Sequence, residues 1–346
     1  MTKSIPLIRA AAIAPMRRWL LENGSDPGPL LERAHLAWVP DDEPLLPIPL
    51  RAVIRFLLEI ARAEGPDAPL RCVDGRGGFE IGLIGSVAFS AQTVREGLHR
   101  VARAMPRHCT HEVFTVSSDT RALHVADGWA MKLPDEEERH LVQQYVAALV
   151  DMICSVASGP QPCVSRVGMV PHPTAGLTHL RPWLGDRIYE TEGRTLEIEI
   201  SEEVADQPIP ADIRDAAINR TEVGLPALRQ GGTLSEDVAT LVSSMLSQTT
   251  PSLDSVASAA GVSGRTLRRR LNEEGSRFSD ILERTRARIA LRRLQGKARP
   301  ALKALARELG YSDQATLTRA LRRWTGEAPS KLRNHPTLST RSKVFD

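Results

Sequence analysis

The residue pattern best suited to chemistry lies in the last third of the chain, and it occurs twice. Leu253-x-x-Val256-Ala257-x-x-Ala260-Gly261-x-Ser263 returns 49 residues later as Leu302-x-x-Leu305-Ala306-x-x-Leu309-Gly310-x-Ser312. After one inserted residue the match resumes at an offset of 50: Thr266-Leu267, Arg269 and Leu271 against Thr316-Leu317, Arg319 and Leu321. Each copy predicts a short helix, a tight turn and a second helix. Glycine supplies the positive φ that the turn needs. Ser263 or Ser312 can accept from the freed N–H groups of the second helix. In copy one, Leu267 and Leu271 lie one turn apart and face inward. Arg265 and Arg269 then point away, with Arg268 on the flank. In copy two, Leu317 and Leu321 face inward and Arg319 outward, with Thr318 and Arg322 beside it. Such an arginine row suits a DNA major groove, where one guanidinium can bond guanine O6 and N7 together.

Other chemistry is weaker. His108-Cys109-Thr110-His111 has two of the ligands a metal needs, but the sequence places no third or fourth, so no metal is expected. Gly75-Arg76-Gly77-Gly78 lacks the GK[ST] or GxGxxG context of a phosphate loop. His172, between two prolines, reads as a turn-holding residue. The four cysteines form no CxxC pair, and Cys154 reads as a small buried hydrophobe. Cys72 beside Arg71 and Cys109 beside His108 keep open one alternative: a DNA-binding enzyme, such as an alkyl-transfer repair protein with a reactive cysteine. That reading requires an exposed, activated thiolate. No Ser-His-Asp or paired-carboxylate pattern stands out, and neither enzymatic activity nor a cofactor is expected.

The segments that must position the arginines are strongly basic. Residues 251–346 carry 21 Lys+Arg against 9 Asp+Glu, a net of +12, while residues 1–250 carry 24 against 33, a net of −9. An acidic body joined to a basic third is the charge layout of a regulator with a nucleic-acid-binding domain. Between the two copies, residues 279–295 predict one helix stopped by Gly296. Its 17 residues would span about 25 Å. Such a strut could hold two recognition helices about 34 Å apart, one DNA turn. Thr233 and Glu236 form a capping-box pattern at the start of this region.

Upstream, residues 8–23, 50–64 and 93–105 predict helices stopped by Gly24, Gly65 and Pro106. Residues 113–118 and 122–126 predict a hairpin turning at Asp119-Thr120, residues 135–157 a long helix, and residues 165–170 and 195–200 two more strands. The fold class is therefore an α+β N-terminal domain joined to an all-α C-terminal domain, in which two helix-turn-helix motifs are bridged by a long helix. The expected divisions are 1–210 for the α+β domain, which the resemblance described below makes the effector-sensing domain, 211–232 for a connecting helix and linker, 233–335 for the DNA-binding domain, and 336–346 for a flexible tail. The best apolar stretch, residues 145–157, is too short to span a membrane and contains Asp151. Pro6, Arg9 and Pro15 break any signal-peptide core, which points to the cytoplasm.

The second copy, Leu305-Ala306-x-x-Leu309-Gly310-Tyr311-Ser312-Asp313 through Arg319-Ala320-x-Arg322-Arg323-Trp324-Thr325-Gly326-x-x-Pro329-Ser330-x-x-Arg333, resembles the AraC/XylS family of bacterial transcription regulators. Thr266-Leu267-Arg268-Arg269-Arg270-Leu271 fits the first half of the same region. Leu317 and Leu321 stand where the family often has Phe, and Gln314 where Pro is common. The resemblance implies base contacts from Arg265, Arg268 and Arg269 in copy one and from Gln314, Thr318 and Arg319 in copy two. Arg322 and Lys331 are expected on phosphates, which position without specifying. The first 210 residues resemble the arabinose-binding-type domain of regulators similar to those of ornithine catabolism. Leu83-Ile84-Gly85, Ser90, Thr93, Glu96-Gly97-Leu98, Pro171-His172-Pro173 and Gln207-Pro208-Ile209-Pro210 carry that likeness. The domain's name does not make arabinose the ligand. Together these resemblances imply a sequence-specific activator, nucleoid-associated and dimeric. Its partners would be promoter DNA, RNA polymerase and a small-molecule effector whose binding residues the sequence does not reveal.

Overall fold

In the computed structural model the described residues are 4–73, 79–131, 135–159, 162–220, 225, 227–228, 232–296 and 300–334. The glycine run at 75–78, most of the linker at 226–232 and the tail at 336–346 lie outside them. Contacts divide the chain into two compact units. The first comprises residues 6–37 and 41–231, and the second residues 232–346 together with 3–5 and 38–40.

The first unit is α+β. Strand β1 (Leu7–Arg9) pairs antiparallel with β2 (Pro47–Pro49), and between them run α1 (Ala14–Glu22) and α2 (Gly28–Arg33). The single helix expected over residues 8–23 is thus a strand, a 3-10 turn at Ala10–Ile13 and a shorter helix. Leu7, Ile8 and Arg9 are buried consecutively, so this stretch lacks the polar face that distinguishes a helix from a buried strand. Helices α3 (Leu50–Glu64), α4 (Ala68–Arg71), α5 (Leu83–Phe89) and α6 (Val94–His108) follow. Thr93 caps α6 by accepting from Glu96 N–H. Pro106 does not stop this helix but lies inside it. A proline near a helix end forfeits a single hydrogen bond, and the chain runs on to His108.

Strands β3 (Glu112–Ser118) and β4 (Ala122–Trp129) form the expected hairpin. Asp119 Oδ1 closes its turn by accepting from the N–H groups of Arg121 and Ala122, at 2.7 and 3.0 Å. The long helix α7 (Glu136–Ser158), capped by Asp135, leads to β5 (Arg166–Met169), α8 (Arg181–Leu184), β6 (Ile188–Glu190), β7 (Leu196–Ser201), α9 (Glu202–Ala205) and α10 (Ala211–Arg220). The five strands order as β3-β4-β7-β5-β6, antiparallel except for the parallel pair β5–β6. Leu196, Ile198 and Ile200 of β7 are buried as their alternation predicts. By length and composition α7 could cross a membrane, yet most of it is buried within this unit, as befits a core helix. His172 holds a turn: its Nδ1 accepts from Thr174 and Ala175 N–H at 3.3 and 3.1 Å.

The second unit is wholly helical among the described residues: α11 (Leu234–Leu246), α12 (Leu253–Ala259), α13 (Gly264–Glu273), α14 (Phe278–Gln295), α15 (Leu302–Glu308), α16 (Gln314–Thr325) and α17 (Pro329–Asn334). Thr233 and Glu236 form the predicted capping box on α11. The C-terminal copy packs around Ala287, Ala290 and Leu294 of α14, Leu305 and Leu309 of α15, and Leu317, Leu321 and Trp324 of α16.

Candidate nucleic-acid interface

Each copy of the repeat folds as two helices joined through a left-handed glycine. Gly261 has φ 71° and Gly310 φ 69°, a region that costs a side-chain-bearing residue about 1 kcal/mol or more. Beyond the turn, Ser263 Oγ accepts from Thr266 N–H at 3.1 Å and so fixes the start of α13. In copy two the cap is not Ser312. Asp313 accepts from Thr316 N–H at 2.7 Å, and Ser312 donates to Asp313 Oδ2 at 3.0 Å. The inserted residue between turn and helix, which changes the repeat offset, moves the cap one position along. A carboxylate there also complements the positive helix end. Its hydrogen bond from Thr316 N–H, with that from Ser312, holds the Asp313 pKa below the usual range.

The leucine pairs are buried as the spacing requires: Leu267, Leu271, Leu317 and Leu321 are all at most 1% exposed. Arg265, Arg268 and Arg269 of α13 are exposed, as are Gln314, Arg319 and Arg322 of α16 and Lys331 of α17, while Thr318 is half-buried. Arg265, Arg268 and Arg269 line one open concavity with Asn272 and Glu273. Their present partners differ. Arg269 Nη1 meets Glu273 Oε1 at 2.5 Å, both side chains well exposed. Arg319 Nη2 donates to Thr316 Oγ1 at 3.0 Å, and Lys331 pairs with Glu327 at 3.3 Å. Thr318 Oγ1 donates to the Gln314 carbonyl of its own helix at 2.9 Å, leaving its lone pairs as acceptors. Arg265, Arg268 and Arg322 form no ion pair among the described residues.

Three supporting contacts were not legible in the sequence. Glu274, just past α13, accepts from Leu234 N, Ser235 N and Ser235 Oγ at 3.0, 3.0 and 2.8 Å, tying the end of α13 to the start of α11. Glu283 of α14 pairs with Arg323 and accepts from Trp324 Nε1 at 3.1 Å, fixing α16 on the strut. The Arg286 guanidinium lies 4.8 Å from the Tyr311 ring centroid. The only available signal was acidic residues standing inside a basic segment.

The strut α14 has 18 residues and begins one residue earlier than expected. At 1.5 Å per residue it is about 27 Å long.

A model of the helix-turn-helix domain matches residues 256–335, and the arabinose-binding domain of AraC transcription regulators, N-terminal, matches residues 24–209. The HTH-type transcriptional regulator VirS of Mycobacterium tuberculosis is 30% identical over 343 residues, 97% of this chain and 98% of VirS. The chain belongs to the AraC family of transcription regulators. This AraC-family protein is therefore a DNA-binding transcription regulator with an arabinose-binding-type effector domain. The ornithine utilization regulator of Pseudomonas aeruginosa is 38% identical over 86 residues, a quarter of each chain. The crystal structure of transcriptional regulator CdpR from Pseudomonas aeruginosa aligns with a TM-score of 0.41 at 19% identity, over 93% of this chain and 97% of that one.

The cysteines of this regulator offer no exposed thiol. All four are free and buried. Burial pushes the Cys72 pKa up to about 12 and holds those of Cys109 and Cys154 well above the usual range. The sequence pair His108/His111 is buried too. His111 Nδ1 lies 2.6 Å from Thr110 Oγ1, and burial lowers the His108 pKa to about 4. Among the described residues no group of three ligating side chains is placed to hold a metal.

Proposed function

We propose that the regulator reads a two-part operator, one half through α13 and the other through α16. The carrying observation is that both helices bury a leucine pair and turn arginines to solvent on the opposite side. Arg265, Arg268 and Arg269 read bases in one half-site; Gln314, Thr318 and Arg319 read the other. Arg322 and Lys331 hold phosphates. The division of the chain at residues 1–210, 211–232, 233–335 and 336–346 into sensor, connector, DNA-binding domain and tail belongs to the same reading. A small molecule in the sensor shifts the protein between states of different operator affinity. The regulator acts in the cytoplasm as a homodimeric activator that contacts RNA polymerase. It works without enzymatic chemistry, and the buried cysteines support this, because alkyl transfer needs an exposed thiolate.

The test is a binding-site selection on wild type, Arg269→Ala and Arg319→Ala. Each substitution should relax base preference in one half-site only, and the two relaxed positions should lie about 10 bp apart. If Arg319→Ala leaves the selected sequence unchanged, α16 is a phosphate clamp. Ala315 standing where copy one has Arg265 makes that outcome physically reasonable.

A further inference from the structure

The first unit encloses a cavity that no functional residue above uses. It lies between β1, α1, α3, α6, the β3–β4 hairpin and α7, and its volume is about 80 Å³. Its wall is almost entirely Ile, Leu, Val, Ala and Met. The exceptions are His108, Glu112, Trp129 and Tyr145. Tyr145 is committed, since its hydroxyl donates to the Ala12 carbonyl at 2.9 Å. Glu112 shares side-chain hydrogen bonds with Asp127 and Cys109; the other two are not committed. His108 is 7% exposed and its Nδ1 has no hydrogen-bond partner; Trp129 Nε1, also buried, has none. Glu112 sits directly across the hairpin from Trp129, which brings the two side chains within about 5 Å at Cβ. Behind Glu112 lies the carboxyl of Asp127, 1% exposed, which receives no N–H hydrogen bond. Burial raises the pKa of both acids, that of Glu112 to about 7, so the pair retains a proton near neutrality. Arg9, whose field helps lower the His108 pKa, donates to the carbonyls of Arg107 and Leu45.

Uncommitted buried polar atoms are costly, about 1–3 kcal/mol each, and their convergence in an apolar cavity marks a place where a ligand completes the set. The ligand's chemistry follows from what is missing. Trp129 Nε1 can only donate and therefore needs an acceptor. Glu112 and His108 Nδ1 can take a donated proton. One hydroxyl oxygen meets both demands. A carboxylate would be placed against two buried carboxyls. A sugar would bring more hydroxyls than the wall can satisfy, and each unmet one is penalised.

We propose that this cavity is the effector site of the regulator, and that it takes a small, neutral, apolar molecule bearing one hydroxyl group. The hydroxyl would accept from Trp129 Nε1 and donate toward Glu112 or His108. This assignment rests on the effector-controlled reading above. The void is about half the ~150 Å³ cavity known to admit benzene, so the alcohol's body is short, and the flexible stems of Met16 and Met105 yield to admit it.

The experiment uses the full chain with its tryptophan indoles labelled with 15N, and the Trp129 resonance assigned through Trp129→Phe. The probes are 1-butanol, its isomer diethyl ether, butyrate and butylammonium. 1-Butanol should shift the Trp129 signal saturably. The ether, which accepts but cannot donate, should bind about five- to tenfold more weakly. Butyrate should leave the signal unmoved. Equal binding of ether and alcohol, or tighter binding of either ion, would overturn the assignment. Duplex DNA affinity is measured in the same samples. A saturable Trp129 shift with unchanged DNA affinity would refute effector control while leaving the cavity's chemistry standing. DNA affinity that responds to butanol without a Trp129 shift would refute the cavity and leave effector control intact.

Discussion

Arg269 cannot read a guanine while it holds Glu273. The two side chains form an i,i+4 pair on the exposed face of α13, 64% and 57% exposed. Exposed helical pairs of this kind contribute about 0.3–0.5 kcal/mol. A bidentate arginine–guanine contact discriminates by about 1–3 kcal/mol. Arg269→Ala should therefore cost the contact less the released pair, about 0.5–2.7 kcal/mol, or roughly 2- to 100-fold in operator Kd. Arg319 gives up only a hydroxyl bond to Thr316, so Arg319→Ala should cost close to the full range, about 5- to 160-fold. Glu273→Gln keeps the helix and Arg269 but removes the competitor. It should tighten operator binding about twofold, with a further gain at low salt from the lost negative charge. The assay is a set of binding isotherms on the selected operator for wild type, Glu273→Gln, Arg269→Ala and the double variant, at several salt concentrations. At high salt the gain should be absent in the Arg269→Ala background. A gain of equal size in both backgrounds would mean that Glu273 acts only through its charge on the DNA, and the competition argument would fail.

Three other outcomes are expected. With six to ten phosphates neutralised by the basic third, operator affinity should fall by about 10³ to 10⁵ between 50 and 200 mM salt; a flat salt titration contradicts a phosphate-dominated interface. Glu283→Ala removes the acceptor of Trp324 Nε1 and the partner of Arg323. It should destabilise the second unit by about 1–3 kcal/mol, seen as a lower melting transition, whereas Glu283→Gln, which retains an acceptor oxygen, should recover part of the loss. Glu112 rises from 4.5 to about 7 on folding. At this group the native state binds more protons than the unfolded chain in that interval, so its contribution to stability falls as pH rises through it. Across pH 4.5 to 7 the melting temperature of wild type relative to Glu112→Gln should decline as pH rises; the comparison is needed because the buried His108 and His140, whose pKa values are lowered to about 4 and about 3, contribute the opposite slope to both proteins.

The DNA-binding half was legible because its determinants are local. The duplicated turn, the leucine pair one helical turn apart and the capping box at Thr233 are short-range patterns, and the structure places them where the spacing demanded. The hairpin at Asp119 was legible for the same reason. Local reasoning failed where a residue's state depended on what packs against it. Leu7–Arg9 became a strand because its partner is Pro47–Pro49, about 40 residues away. The cap of α16 moved to Asp313 because one inserted residue altered the geometry of the turn.

The sequence by itself determined that the chain carries two helix-turn-helix units on a basic segment, with arginines opposite buried leucines. Periodicity and charge are properties of neighbours along the chain, and the amino-acid order contains them in full. Only the tertiary structure decided which charges are already paired, as Arg269 is with Glu273 and Arg323 with Glu283. It alone decided that the four cysteines are buried and that His108, Glu112 and Trp129 converge on one apolar cavity. Those facts are set by burial and by contacts across the fold, which change the energy of a polar group by more than its local sequence can.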